Sequence, residues 1–224
     1  MKDWIENKLK DVERSGLNNL ISYLNQSDFY NAPASTKYHN DYPGGLADHS
    51  ISVYRELVHL NDYLDLKIAE ESLIICGLLH DLCKIGVYKI DEEEATNAQI
   101  KYLTSLIRKG DGIVPEENLT KQFASDLIGW YKGGMQGDKP TLGRSYVYED
   151  VFPVGHGEKS VVVIQQFISL EEEEILAIRY HMGMYGNHDD RNYHKAKDMY
   201  PLVEMLHLAD RLATLKENIY PEEV

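Results

Sequence analysis

The run Leu73-Ile74-Ile75-Cys76-Gly77-Leu78-Leu79 is almost continuously apolar and leads directly into His80-Asp81-Leu82-Cys83-Lys84. A helix that is apolar on every side belongs in the middle of a fold. The segment from about Ile68 to Leu82 therefore reads as the central helix, and it ends on an imidazole, a carboxylate and an ammonium. Adjacent helical residues project about 100° apart, so His80 and Asp81 grip one ion only if it sits off the flank between them. Lys84 follows His80 by four residues and Asp81 by three. That spacing predicts it on the same face one turn on, its ammonium within reach of an anion held at the site.

Outward from this helix the chain reads as more helices. Trp4, Ile5, Leu9, Val12 and then Leu17, Leu20, Ile21, Leu24 recur at helical spacing and predict two short helices broken near Ser15-Gly16. The stretch from Asn31 to Gly45 is rich in turn formers and leads into a helix carrying His49, Val53, Leu57 and Leu60. Between Val87 and Val154 the character changes: Asp91-Glu92-Glu93-Glu94 is acidic, glycines recur from Gly110 to Gly112 and from Gly133 to Gly137, and Tyr146 to Phe152 is aromatic. Helices over about 94–108 and 118–131 and a short hairpin or strand near 145–152 are expected there. Further helices are expected near 157–168, 171–183 and 200–218, the last two joined by a polar loop from Tyr185 to Lys197. The fold class is thus all-α, one domain over 1–224. Segments 40–86 and 155–215 form the bundle, and 87–154 forms a mixed insertion or lid with a short β-hairpin or strand.

Composition narrows the function classes. The 23 Lys and Arg against 37 Asp and Glu leave a net charge of −14, which opposes tight binding to a long nucleic-acid backbone. No run approaches the ~18 apolar residues of a membrane span, and MKDWIENKLK has no signal-peptide core, so a cytoplasmic protein is expected. Cys76 and Cys83 are the only cysteines. They read as buried, reduced core residues rather than a disulfide framework.

The chemistry-bearing residues are His49, His80, Asp81, His156, His181 and Asp210, four imidazoles and two carboxylates in or beside helical segments. Such donors suit Mn, Fe, Ni, Co or Zn, and their number is enough for one or two divalent ions. A single histidine on a helix is more often a packed or surface residue than a ligand, so the set carries the argument. Asp210 lies within Leu206-His207-Leu208-Ala209-Asp210-Arg211-Leu212, where a carboxylate is costly unless paired or metal-bound. Lys159 follows His156 by three residues as Lys84 follows Asp81, an arrangement suited to phosphate. His39, His59, His188 and His194 read as loop or surface residues, with His39 and His188 the nearer to a pocket. His207 stands open between packing and orienting a ligand.

Gly44-Gly45-Leu46-Ala47-Asp48-His49, Gly77-Leu78-Leu79-His80-Asp81-Leu82-Cys83-Lys84, Gly155-His156-Gly157-Glu158-Lys159, then His181 and Leu206-His207-Leu208-Ala209-Asp210 together resemble the HD superfamily of metal-dependent phosphohydrolases. The match is to the branch with an H…HD…H…H…D ligand order, which includes cyclic-dinucleotide phosphodiesterases and exoribonucleases. The resemblance implies an all-α bundle and a binuclear metal centre in which Asp81 bridges. His49, His80, Asp81 and Asp210 would hold one ion, and Asp81, His156 and His181 the other. Lys84 and Lys159 would neutralise charge developing on a phosphoryl group. No Gly-Tyr-Pro follows His181, which argues against cyclic-di-GMP cleavage, and no nucleic-acid-binding domain precedes the bundle, which weakens the exoribonuclease reading. The expected function is hydrolysis of a small phosphorylated, nucleotide-like substrate. The runner-up is an HD-fold di-iron oxygenase, in which the same ligand order occurs; a third reading is a nucleotide-sensing module without turnover, against which the full set of six ligand side chains argues. Trp130, Tyr131, Tyr146, Tyr148 and Phe152 either stack on a base or form the insertion's own core; the second is favoured.

Overall fold

The computed structural model describes residues 1–36, 40–90, 93–107, 119–136, 146–184 and 190–219. His39, His188, the glycines from 110 to 112, Gly137, and Asp91 and Glu92 lie outside them. Among the described residues the fold is mostly helical with one small antiparallel sheet, as the periodicities predict. The helices are α1 (Lys2–Leu9), α2 (Leu17–Gln26), α3 (Gly45–Leu64), α4 (Glu70–Leu79), α5 (Asn97–Ile107), α6 (Lys121–Lys132), α7 (His156–Ile164), α8 (Glu172–Tyr180), α9 (Asp190–Met199) and α10 (Pro201–Ile219). The chain divides into two compact units, 1–87 with 150–224, and 88–149. Residues 150–154, grouped above with the insertion, cluster with the larger unit.

In the larger unit α10 packs on α3 and α8, α3 on α4, and α7 on α8. Leu46 and Leu57 of α3, Ile74, Ile75, Leu78 and Leu79 of α4, and Leu202, Val203 and Leu206 of α10 are fully buried, so α4 is the central helix that its composition demands. Two glycines set the spacing around it. A Cβ on Gly77 would come within 2.6 Å of the Tyr54 Cα, and one on Gly157 within 2.3 Å of the Arg179 carbonyl oxygen. Their bare backbones let α4 close on α3 and α7 close on α8, which brings His80 towards His49 and His156 towards His181.

The smaller unit holds α5 and α6 around a core of Leu103, Ile107, Phe123 and Leu127, with Tyr131 packed against it. Strand β1 (Tyr88–Ile90) pairs antiparallel with β2 (Tyr146–Tyr148), Tyr88 opposite Tyr148. The strand near 145–152 is therefore confined to three residues, and its partner was not legible. Of the five aromatics, Tyr131 and Tyr146 are in the packing, Trp130 is half-buried against Tyr131, and Tyr148 is exposed, as is Phe152, which clusters with the larger unit; the smaller unit's core is mainly aliphatic.

Two expectations need correction. The segment 190–199 is helical rather than loop: among its described side chains α9 buries Tyr193 and Ala196, three residues apart, too few apolar positions to announce a helix in so polar a stretch. The central helix ends at Leu79, not Leu82. His80 caps it, Asp81 leaves the helical region at φ −107°, and Leu82–Lys84 forms a single 3-10 turn.

Candidate metal centre

The end of α4 decides the geometry. Because the backbone turns out of the helix at Asp81, His80 and Asp81 need not share a helical flank, and the Asp81 carboxylate projects into the middle of the larger unit. His49 comes from α3, His156 from the first turn of α7, His181 from the C-cap of α8 and Asp210 from α10. All six proposed ligand side chains are brought together, with Asp81 as the hub. Its Oδ2 lies 3.5 Å from His80 Nε2, 3.8 Å from His49 Nε2 and 2.7 Å from Lys84 Nζ. Its Oδ1 lies 2.8 Å from His156 Nε2 and 3.4 Å from His181 Nε2. Asp210 Oδ1 stands 3.2 Å from His49 Nε2.

The opposite edges of the rings are held from behind. His80 Nδ1 lies 3.0 Å from the Gly77 carbonyl and His181 Nδ1 2.6 Å from the Ile178 carbonyl. A carbonyl only accepts, so each Nδ1 carries a proton and each Nε2 is turned inward; in a neutral ring, the form His80 takes, that Nε2 is a bare lone pair. Both Nε2 atoms are buried and have no hydrogen-bond partner among the described residues. Orphaned buried acceptors are costly, and a cation is the partner that satisfies several at once. Three overlapping sets could each hold a metal ion: His49, His80 and Asp210; His80, Asp81 and His181; and Asp81, Cys83 and His156. Within each set the donor atoms lie within 4.8 Å of one another. The donor chemistry fits a divalent transition metal.

The charges are arranged to suit one. Burial, assisted by neighbouring imidazoles, pushes His80 down to about 3 despite Asp81, so it is neutral and ready to ligate. For His49 burial again acts downward, but the hydrogen-bonded Asp210 and Glu217 carboxylates outweigh it and raise the ring to about 9. Burial would raise Asp81, yet Lys84 and the surrounding imidazoles hold it well below the usual carboxylate range. Asp210 is lowered in the same way, chiefly by His49 acting against burial. Burial pushes the Cys83 thiol up to about 12.

Three residues of the site escaped the sequence reading. Glu217 is buried on α10 with both carboxylate oxygens 3.1 Å from His49 Nδ1, a carboxylate–histidine pair that orients a ligand. Its signal was available: seven residues after Asp210 is two turns along the same helical face. Cys83, read as core packing, sits 3.4 Å from both nitrogens of His156. Asp150 accepts a 2.6 Å bond from the buried ammonium of Lys159, which is thus ion-paired as Lys84 is with Asp81. His207 lies 2.6 Å from the His181 carbonyl through Nδ1, behind the cluster, while His59 and His194 are exposed. Among the described residues no helix is long and apolar enough to cross a membrane. No family model matches this chain, and comparison with curated proteins and with solved structures finds no similar one.

Proposed function

We propose that this chain is an HD-type, metal-dependent phosphohydrolase or phosphodiesterase acting on a small phosphorylated, nucleotide-like substrate. The observation that carries the reading is the division of Asp81, whose Oδ2 faces His49 and His80 while its Oδ1 faces His156 and His181. Two ions sharing Asp81 would find donors of this kind on both sides of it. His49, His80 and Asp210 would hold one with Asp81, and His156 and His181 the other. A divalent ion supplies a nucleophile by lowering the pKa of its bound water from near 16 towards ~7, and it polarises a phosphoryl oxygen.

The chain's own residues supply the rest. Glu217 keeps the His49 ring oriented, and the carbonyls of Gly77 and Ile178 fix the tautomers of His80 and His181. Lys84 sets an ammonium at the edge of the cluster, where it offsets negative charge on a phosphoryl group. Lys159 takes part by exchanging its Asp150 partner for a phosphoryl oxygen. The net charge of −14 favours a small anion gathered by these local cations over a polynucleotide.

Protein purified without added metal, analysed for elements and assayed on mononucleotides, other small phosphoesters and long RNA, tests the reading. Bound Mn, Co, Ni or Zn with turnover of a small phosphoester is expected. Two irons per chain with dioxygen consumption would replace the hydrolase by the oxygenase, and metal binding without any turnover by the sensor.

A further inference from the structure

Cys83 is buried, forms no disulfide and has no part in the chemistry above. Its position is nonetheless built. Ser160, fully buried on α7, accepts a 3.0 Å hydrogen bond from the Cys83 backbone nitrogen and so ties the 3-10 turn to the helix that carries His156. The result is a triangle of donors: Cys83 Sγ to His156 Nε2 3.4 Å, His156 Nε2 to Asp81 Oδ1 2.8 Å, and Cys83 Sγ to Asp81 Oδ1 4.0 Å. The fully buried His181 Nε2, without a hydrogen-bond partner among the described residues, is aimed at the same Asp81 oxygen from 3.4 Å.

Those edges can be compared with what an ion requires. With metal–sulfur bonds of about 2.3 Å and metal–nitrogen or metal–oxygen bonds of about 2.0–2.2 Å, the donor atoms of a tetrahedral site stand roughly 3.4–3.6 Å apart. One edge of the triangle already meets this, and the other two need to open or close by only about half an ångström. Cys76, on the same apolar run, belongs to none of the donor sets found among the described residues.

We propose that Cys83 is a metal ligand, completing with Asp81, His156 and His181 a four-donor site that prefers zinc-like ions to manganese or magnesium. The inference rests on the metal-centre reading above and adds to it the choice of ion. Binding exchanges the thiol proton, released to solvent, for a metal–sulfur bond. A thiolate beside two imidazoles and one carboxylate favours borderline-soft zinc and cobalt over hard, oxygen-seeking ions.

The experiment loads the full chain with cobalt(II) and measures bound cobalt, the near-ultraviolet absorption and, by chelator competition, zinc and manganese affinity. Wild type and Cys76→Ala should bind cobalt and show a thiolate-to-cobalt charge-transfer band. Cys83→Ala should lose the band, and its zinc affinity should fall by at least the roughly 10–100-fold that losing a mere outer partner costs, with manganese affinity little changed. Bound cobalt without the band in wild type, or a band that survives in Cys83→Ala, overturns the inference and leaves the metal centre standing. No cobalt bound to wild type overturns both. Should Cys83→Ala fail to fold, wild type and Cys76→Ala decide alone: a band kept without Cys76 comes from Cys83, and its absence rejects the ligand.

Discussion

Among the carboxylates buried in the larger unit, Glu174 and Asp81 differ in one respect of their surroundings. Glu174 is closed. It accepts from Arg14 Nη1 at 2.6 Å and Nη2 at 2.7 Å, from Ser72 Oγ at 2.8 Å and from the Glu171 backbone nitrogen at 2.9 Å, and Arg14 Nη1 also donates to the Ser169 carbonyl at 2.9 Å. Donors and acceptors match, and the cluster ties α4, α8 and the segment after α1 together. Asp81 is open. It meets four imidazoles, an ammonium and a thiol, and the Nε2 atoms of His80 and His181 remain without a hydrogen bond among the described residues. Burial of charge therefore does not by itself mark a functional site. A surplus of aligned, unmatched acceptors does, because a fold selected only for stability has no use for it.

The largest effect expected from this contrast is at the open hub. Asp81→Ala should strip the bound metal and all turnover while leaving the helical circular dichroism near that of wild type, since the apolar side chains of α4 supply the packing. Full metal occupancy in that variant would sink the assignment. The closed cluster should behave in the opposite way. Glu174→Ala takes away the carboxylate that meets both Arg14 Nη atoms, leaving the mostly buried guanidinium only Glu71, 3.6 Å from Nε, and the Ser169 carbonyl, and should cost about 3 kcal/mol of stability, read as a lower denaturation midpoint, with metal per folded chain unchanged. Loss of metal there would mean that the two clusters are not independent.

The open cluster was largely legible in the sequence and the closed one was not. His80-Asp81 stands at the end of an apolar run and Asp210 sits in a stretch rich in Leu and Ala, so polar residues out of place announced themselves. Glu174 was masked by its neighbours: in Glu171-Glu172-Glu173-Glu174 nothing distinguishes the one side chain that faces inward, and Arg14 is 160 residues away. The same limit hid Asp150 and the strand Tyr88–Ile90, whose partners lie across the chain. Helices carry their period locally, so α1 to α8 and α10 could be expected near their observed places. The exit from α4 at Asp81 could not, because a helix merging into a 3-10 turn keeps the same apolar spacing.

Lys84 probes the open cluster without dismantling it. Its ammonium lies 2.7 Å from Asp81 Oδ2, close enough to serve a bound anion, and the side chain is 11% exposed. Lys84→Met should keep its metal while turnover of an anionic phosphoester falls by about 10²–10³, the loss typical of one electrostatic contact made in the transition state. Unchanged kinetics with metal retained would reject its role and reduce Lys84 to a structural counter-ion, which would make the open cluster resemble the closed one.

The smallest expected effect is a single proton, and it too separates the clusters, since the closed one has nothing to exchange. In the metal-free protein Asp210 and Glu217 hold His49 at about 9, against an ordinary 6.5. A raised imidazole contributes stability that is complete below 6.5 and fades as pH climbs through 9, so the metal-free protein should weaken across that interval. A cation at His49 Nε2 must displace that proton, whereas His80, held down to about 3, has none to give. Titration calorimetry near pH 6.5, in buffers of different ionisation enthalpy and in a Cys83→Ala background where no thiol proton is counted, should therefore find about one proton released per chain as metal binds. Glu217→Gln removes one of the two carboxylates that raise His49, and it should move that release to lower pH. Release of no proton at pH 6.5 would mean that His49 is already neutral in the metal-free protein, and that its carboxylate neighbours orient the ring without charging it.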